Sequence, residues 1–79
     1  MKMLFECSRP KGERLRLTVQ YFRGAPRIDL RHWYPDPGGN FRPGRMGMTL
    51  PRDAVEGLVA ALRVAAKVTL GDIPPTAND

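Results

Sequence analysis

Arginines and aromatic rings are interleaved along residues 17–50 of this 79-residue chain. A guanidinium group can hold a phosphate and stack on a flat ring, and an aromatic ring can stack on a nucleobase. Together the two residue types predict a surface for a single-stranded polyanion. The interleaved residues are Phe22, Arg23, Arg27, Arg31, Trp33, Tyr34, Phe41, Arg42 and Arg45.

Catalytic and metal chemistry have few candidate residues. His32 is the only histidine and Cys7 the only cysteine. A nucleophile–base pair would need His32 beside Cys7 or a hydroxyl, and a zinc site would need more His or Cys ligands. We therefore expect no enzyme activity, no metal, no cofactor and no intrachain disulfide.

The charge is unevenly placed. Residues 1–50 hold ten Lys/Arg against four Asp/Glu, whereas residues 51–79 hold three against four. This asymmetry favours an anionic polymer as partner. No apolar run approaches the roughly 18 residues of a membrane span. The apolar stretch within residues 1–7 is too short for that of a signal peptide. We expect no membrane contact and a location in the cytoplasm (nucleoid) of a bacterium or the nucleus of a eukaryote.

Period-two alternation predicts two strands. Over residues 15–22 it directs Leu15, Leu17 and Val19 to the core. The opposite, exposed face receives Arg16, Thr18, Gln20 and Phe22. A second strand at 27–34 adds Arg31 and Trp33 to that face. Turn residues at 35–40 and 43–45 predict short third and fourth strands at 41–42 and 46–50, with Arg23, Arg42 and Arg45 at the hairpin tips.

Pro51 suits the start of a helix over about 52–69, with Leu50 as its N-cap. Its apolar stripe covers roughly 180°, wider than the about 100° that covers one sheet. The extra width favours a homodimer through this helix, although alanines at a solvated boundary are an alternative. The predicted interface residues are Val55, Leu58, Val59, Leu62 and Ala65. We divide the chain into an N-terminal arm or edge strand (1–13), a binding domain (14–70) and a disordered tail (71–79).

Four segments resemble the positive cofactor four (Sub-one) family of transcriptional coactivators. They are Phe22–Gly24, Ile28–Tyr34, Asp36–Gly39 and Arg42–Pro51. The resemblance implies an α+β fold, in which a curved four-stranded antiparallel sheet is followed by one C-terminal helix. It also implies a homodimer with single-stranded DNA across the sheets. The Ser-rich region of eukaryotic relatives has no counterpart here, so we expect a minimal, core-only member.

The resemblance also implies which residues contact DNA. They are Phe22, Arg23, Arg31, Trp33, Tyr34, Arg42 and Arg45, and Arg16 joins them by alternation. The family's stacking tryptophan falls at Tyr34, whereas alternation exposes Trp33, so both remain candidates and a bulge would be needed to expose Tyr34. Met46 and Ala25 stand where the family often has lysine, which predicts weaker binding and a shallower salt dependence.

Three functional hypotheses follow. The first is single-stranded DNA binding with little sequence preference, in transcription as a coactivator or in replication or repair. The second is RNA binding on the same surface, because stacking and phosphate contacts serve both polymers. The third is a dimeric module that docks acidic proteins such as components of the transcription machinery.

Overall fold

A computed structural model describes residues 1–71. Its elements are the strands β1 (Lys2–Ser8), β2 (Arg14–Phe22), β3 (Ala25–Pro35) and β4 (Phe41–Leu50) and the α-helix α1 (Val55–Gly71). The strands form one antiparallel sheet in the order β1-β2-β3-β4. One-turn 3-10 helices at Pro10–Gly12 and Arg52–Ala54 precede β2 and α1. The predicted α+β class, with a four-stranded antiparallel sheet and one helix, is confirmed.

The strand composition of the sheet differs from the prediction. Residues 2–8, which the sequence leaves as an arm or an edge strand, pair with β2 as β1. The predicted third and fourth strands are one strand, β4. Pro43 is tolerated inside it because β4 is an edge strand, where a missing N–H need not break a ladder. The register jumps from Arg31↔Gly47 to Trp33↔Pro43, so the extra residues form an irregularity opposite His32.

Pairing between β2 and β3 sorts their side chains onto two faces. Arg16 lies opposite Arg31 and Thr18 opposite Asp29. We call this side the arginine face; it also carries Arg14, Gln20, Phe22, Arg27 and Trp33 from these two strands. The other side, the aliphatic face, carries Leu15, Leu17, Val19, Ile28 and Leu30.

The arginine face holds the most deeply buried side chains. Trp33 is 7% exposed, Asp29 is also buried, and Thr18 has no exposed surface at all. The prediction that Thr18 is exposed is therefore wrong. Long side chains on this face cover short ones, since the Arg16 guanidinium lies over the Trp33 ring and Arg31 bonds to Asp29. The leucines predicted to form the core are only half-buried.

A two-residue turn joins β2 to β3. Its central residues, Arg23 and Gly24, have φ of 54° and 80°. Positive φ at both positions is the type I′ geometry, whose twist matches that of the flanking strands. The turn therefore projects Arg23 from the tip of the hairpin, next to Phe22 at the end of β2.

The helix lies mostly away from its own sheet. The helix predicted over 52–69 consists of a 3-10 turn at Arg52–Ala54 followed by α1. The N-cap is Pro51 and not Leu50, the residue predicted from the sequence. Val59 and Leu62 are 41% and 58% exposed. Val55 and Leu58 are half-buried. A single chain thus leaves much of the apolar stripe of α1 uncovered.

Within residues 1–71, no helix is long and apolar enough to cross a membrane. The predicted tail at 71–79 lies outside the described residues except for Gly71, which ends α1. The boundary between the N-terminal segment and the binding domain at residue 13 stays a prediction.

Candidate nucleic-acid interface

The first cluster on the arginine face is a stack of cations and rings contributed by β2, β3 and β4. The Arg16 guanidinium carbon lies 4.9 Å from the centre of the Trp33 ring and 4.8 Å from that of Phe41. Arg14 lies 5.0 Å from the same Phe41 ring. Such contacts contribute about 0.5–2 kcal/mol each, depending on exposure. They hold two guanidinium groups side by side on the sheet.

Glu6 of β1 partly neutralises this stack. Its Oε2 accepts a hydrogen bond from Arg16 Nε at 2.9 Å and lies 3.7 Å from Arg14 Nε. The contact follows from the register, which places Glu6 opposite Arg16. An anionic ligand at Arg14 and Arg16 must therefore compete with a carboxylate of the same chain.

The second cluster lies at the tip of the β2–β3 hairpin. Phe22 is 49% exposed, with the guanidinium carbon of Arg27 at 4.4 Å and that of Arg23 at 5.3 Å from its ring centre. Within residues 1–71, neither arginine makes an ion pair. This cluster therefore offers two unneutralised cations beside an accessible ring.

Between the two clusters, Arg31 forms an internal network. Its Nη2 and Nε donate to Asp29 Oδ1 and Oδ2 at 2.9 and 3.0 Å, and its Nη1 donates to the Gly44 carbonyl at 3.0 Å. The hydrogen bonds that Arg31 donates to Asp29 raise the pKa of Arg31 above its ordinary value. These bonds tie β3 to the irregular part of β4, so most of the donors of Arg31 are already used.

The β3–β4 turn positions Arg42. Asp36 Oδ1 accepts from the backbone N–H groups of Gly38 and Asn40, both at 2.9 Å. Its Oδ2 accepts from Arg42 Nε at 2.8 Å. The bond from Arg42, helped by the backbone N–H groups, lowers the pKa of Asp36. The Arg42 side chain remains 63% exposed, so its outer N–H groups stay available.

A groove runs along the arginine face between the two clusters. Its volume is 310 Å³, at the lower end of the range of about 300–1,000 Å³ for small-ligand sites. Aromatic walls and polar groups share the lining, which comprises Gln20, Tyr21, Phe22, Arg27, Asp29, Arg31, Trp33, Pro43 and Thr49.

The remaining candidate chemistry lies apart from this face. His32 points to the aliphatic face, where its Nδ1 lies 3.3 Å from Glu13 Oε1. Cys7 is a half-buried free thiol. In the part of the chain that the structure describes, no group of three or more His, Cys, Asp and Glu side chains could hold a metal ion.

The family model described as Transcriptional Coactivator p15 (PC4) matches residues 9–61. The chain belongs to the PC4 (positive cofactor four) family, so the resemblance found in the sequence is confirmed. The match covers β2, β3, β4 and the start of α1, which are the elements that build the arginine face.

Solved structures of PC4 homologues share this fold. A PC4 homologue of Burkholderia pseudomallei, BPSL1147, matches in its orthorhombic crystal form with a TM-score of 0.74 at 23% identity, over 82% of this chain and 88% of that one. Its tetragonal form gives 0.73 at 23% identity, over 82% and 96%. The bacteriophage T5 homologue, implicated in recombination-dependent DNA replication, gives 0.62 at 20% identity, over 92% and 84%. No curated protein matches the sequence significantly.

The structure separates the two candidates for the PC4 stacking position. Trp33 lies on the arginine face but is buried beneath Arg16, and its indole N–H has no hydrogen-bond partner among the described residues. Tyr34 is 44% exposed. An irregularity does occur at this point, but it lies on β4, and Tyr34 still alternates to the opposite side of the sheet from Trp33.

Three residues of these clusters are not among the DNA contacts predicted from the sequence. Arg14 and Phe41 join the Arg16 stack, and Arg27 covers Phe22. Arg14 could have been found by extending the alternation of β2 by one step, and Arg27 is already in phase with Arg31 and Trp33 within the predicted second strand. Phe41 could not, because its side depends on the register across the irregular β4.

Proposed function

We propose that this PC4-family chain binds single-stranded DNA with little sequence preference and acts in transcription, replication or repair. The observation that carries the proposal is the pairing of arginines with aromatic rings at both ends of one sheet face. Guanidinium groups neutralise phosphates, and stacking contributes about 1–3 kcal/mol per base without reading its identity. The protein would then be located in the nucleoid of a bacterium or the nucleus of a eukaryote.

The strongest contacts in this proposal come from the accessible members of the face. Phe22 stacks on a base while Arg23 and Arg27 hold the flanking phosphates. Arg42, which lies opposite Tyr34 and therefore on the other side of the sheet, and Arg45 add phosphate contacts where the DNA passes over the edge strand β4. Arg16 contributes after it exchanges Glu6 for phosphate, whereas Arg31 and Trp33 chiefly support the surface.

We further propose that the chain works as a homodimer. Fewer than 80 residues rarely bury a sufficient core alone, and the described chain buries only one large apolar side chain, Trp33. The uncovered stripe of α1 supplies the missing apolar area. Its proposed contact residues are Val55, Leu58, Val59, Leu62 and Ala65.

The binding test is fluorescence anisotropy of a labelled single strand of about 20 nucleotides, long enough for common site sizes, at two salt concentrations. We expect salt-sensitive binding that duplex DNA competes poorly. Efficient competition by RNA of the same sequence would extend the role to RNA. Absence of binding at low salt would refute the proposal and favour an acidic protein as partner.

The dimer is tested separately by sedimentation of the full chain and of Leu62→Glu, with Arg63→Glu as the matched control on the polar side of α1. A glutamate at position 62 should shift the chain towards monomer, since an unpaired charge is costly in an apolar interface. A monomeric wild-type chain would contradict the proposal.

A further inference from the structure

We infer that the groove between Phe22 and Trp33 is a base-reading subsite that favours nucleobases carrying both an exocyclic amino group and a ring carbonyl, cytosine or guanine. The inference rests on the proposed binding of single-stranded DNA. It adds a bias in base composition, not recognition of a sequence, because only the groups around Asp29 read a base.

The floor of the groove supplies a hydrogen-bond acceptor. Asp29 Oδ1 accepts two bonds from Arg31, at 2.9 and 3.3 Å, but Oδ2 accepts only one, at 3.0 Å. A carboxylate oxygen has two lone pairs, so Oδ2 can accept one more. The Asp29 side chain is only 10% exposed. A donor from a bound base would therefore bond to Asp29 with little competition from water.

The walls favour a flat ring. Half-exposed Phe22 forms one wall, with the Arg27 guanidinium held 4.4 Å from its ring centre. Trp33 forms another, and its indole N–H has no acceptor among residues 1–71. A ring carbonyl entering beside Trp33, after a small displacement of Arg16, would supply that acceptor.

These groups distinguish cytosine from uracil and thymine by the single substituent that differs between their rings at one position. Cytosine presents an amino group, the partner that Asp and Glu accept from when they read this base. Uracil and thymine present a carbonyl oxygen at the same position. That oxygen would face Asp29 without a proton between them, in a place where little water can compensate.

The test compares the affinity of the full chain for cytosine and deoxyuridine single strands of equal length, at one salt concentration and slightly alkaline pH. Phosphate contacts are the same in both strands, so the ratio of the two affinities reports only the effect of the base. We expect the cytosine strand to bind about tenfold more tightly, as for one hydrogen bond to a charged group. Asp29→Asn should reduce the ratio to near one, and Asp53→Asn, at the start of the helix, should preserve it.

Equal affinity of the wild type for the two strands would overturn the subsite while leaving single-strand binding in place. A ratio that persists in Asp29→Asn would overturn the role of Asp29. If neither strand binds, the proposed function fails as well. Should Asp29→Asn not fold, 5-methylcytosine and thymine strands supply the second comparison on the wild-type chain, since they differ at the same position, and equal binding of those two would also overturn the subsite.

Discussion

Arg31 of β3 lies directly over Gly47 of β4. A Cβ built on Gly47 would come within 2.7 Å of the Cα, Cβ and Cγ atoms of Arg31. The space left by the glycine lets the arginine cross to β4 and donate to the Gly44 carbonyl. Gly47 is therefore required by the position of its neighbour.

Gly47→Ala should lower the free energy of unfolding by about 1–3 kcal/mol, the usual effect of overpacking. Backbone atoms must move, because two of the three close contacts are to Cα and Cβ of Arg31. The measurement is urea denaturation at fixed protein concentration. Gly57→Ala is the control: its Cβ would meet nothing within 4 Å, so it should stabilise the helix by about 0.5–1 kcal/mol. Equal stability of the wild type and Gly47→Ala would contradict this account.

Glu6→Gln should raise the affinity for single-stranded DNA. The change removes the carboxylate that pairs with Arg16 at 2.9 Å and lies near Arg14. A DNA phosphate then binds these two arginines without displacing a carboxylate of the same chain. We expect about a two- to fivefold gain at low salt and a steeper salt dependence, because an additional arginine releases counterions. Anisotropy at several salt concentrations measures both. Glu13→Gln, which alters the pair with His32 on the other face, should change neither; a gain there too would indicate only a general effect of charge.

Phe22→Ala should weaken single-strand binding by about 1–3 kcal/mol, the contribution of one stacked base. Phe5→Ala is the matched control. Phe5 is 51% exposed, close to the 49% of Phe22, but it pairs with Leu17 and therefore lies on the aliphatic face. Titration of one labelled strand with both variants separates the role of the face from simple exposure. Comparable losses for the two variants would refute the assignment of the arginine face.

Alternation and turn residues are local, which is why β2, β3, the hairpin tips and the helix could be predicted from the sequence. That β4 is one continuous strand could not be predicted, because Pro43 and Gly44 indicate a turn unless the pairing with β3 is known. Thr18 is in phase with exposed residues, and only the neighbouring long side chains explain its burial. Arg31 shows the same limit: its residue type predicts a phosphate contact, but Asp29 two positions away uses most of its donors.

Substitutions at Trp33 and Tyr34 should have different effects. Trp33→Ala removes a buried ring and should lower the free energy of unfolding by about 3 kcal/mol or more. Tyr34→Ala should leave stability within about 0.5 kcal/mol, as for an exposed residue. It should also leave the affinity for single-stranded DNA close to that of the wild type, since Tyr34 lies on the side of the sheet opposite the arginine face. A loss of about tenfold or more would show that the bound strand also stacks on that side, where Tyr34 lines a 230 Å³ cavity together with Arg45.

The stability of the chain should fall in acid partly through Asp36. Its folded pKa is lowered, first by the bond from Arg42 and then by backbone N–H groups of the turn. The unfolded chain has the ordinary aspartate pKa of about 3.9. The contribution is therefore fully present above that value and is lost as the pH falls through the lower folded pKa, because the unfolded state takes up the proton first.

Asp36→Asn should be less stable than the wild type at neutral pH, and the difference should shrink below about pH 4. Urea denaturation across this range measures it. Arg42→Gln is the companion variant, since removing the largest cause of the lowered pKa should abolish part of the same pH dependence while leaving the bonds from Gly38 and Asn40. If the wild type and Asp36→Asn lose stability in parallel as the pH falls, the turn does not contribute to acid sensitivity.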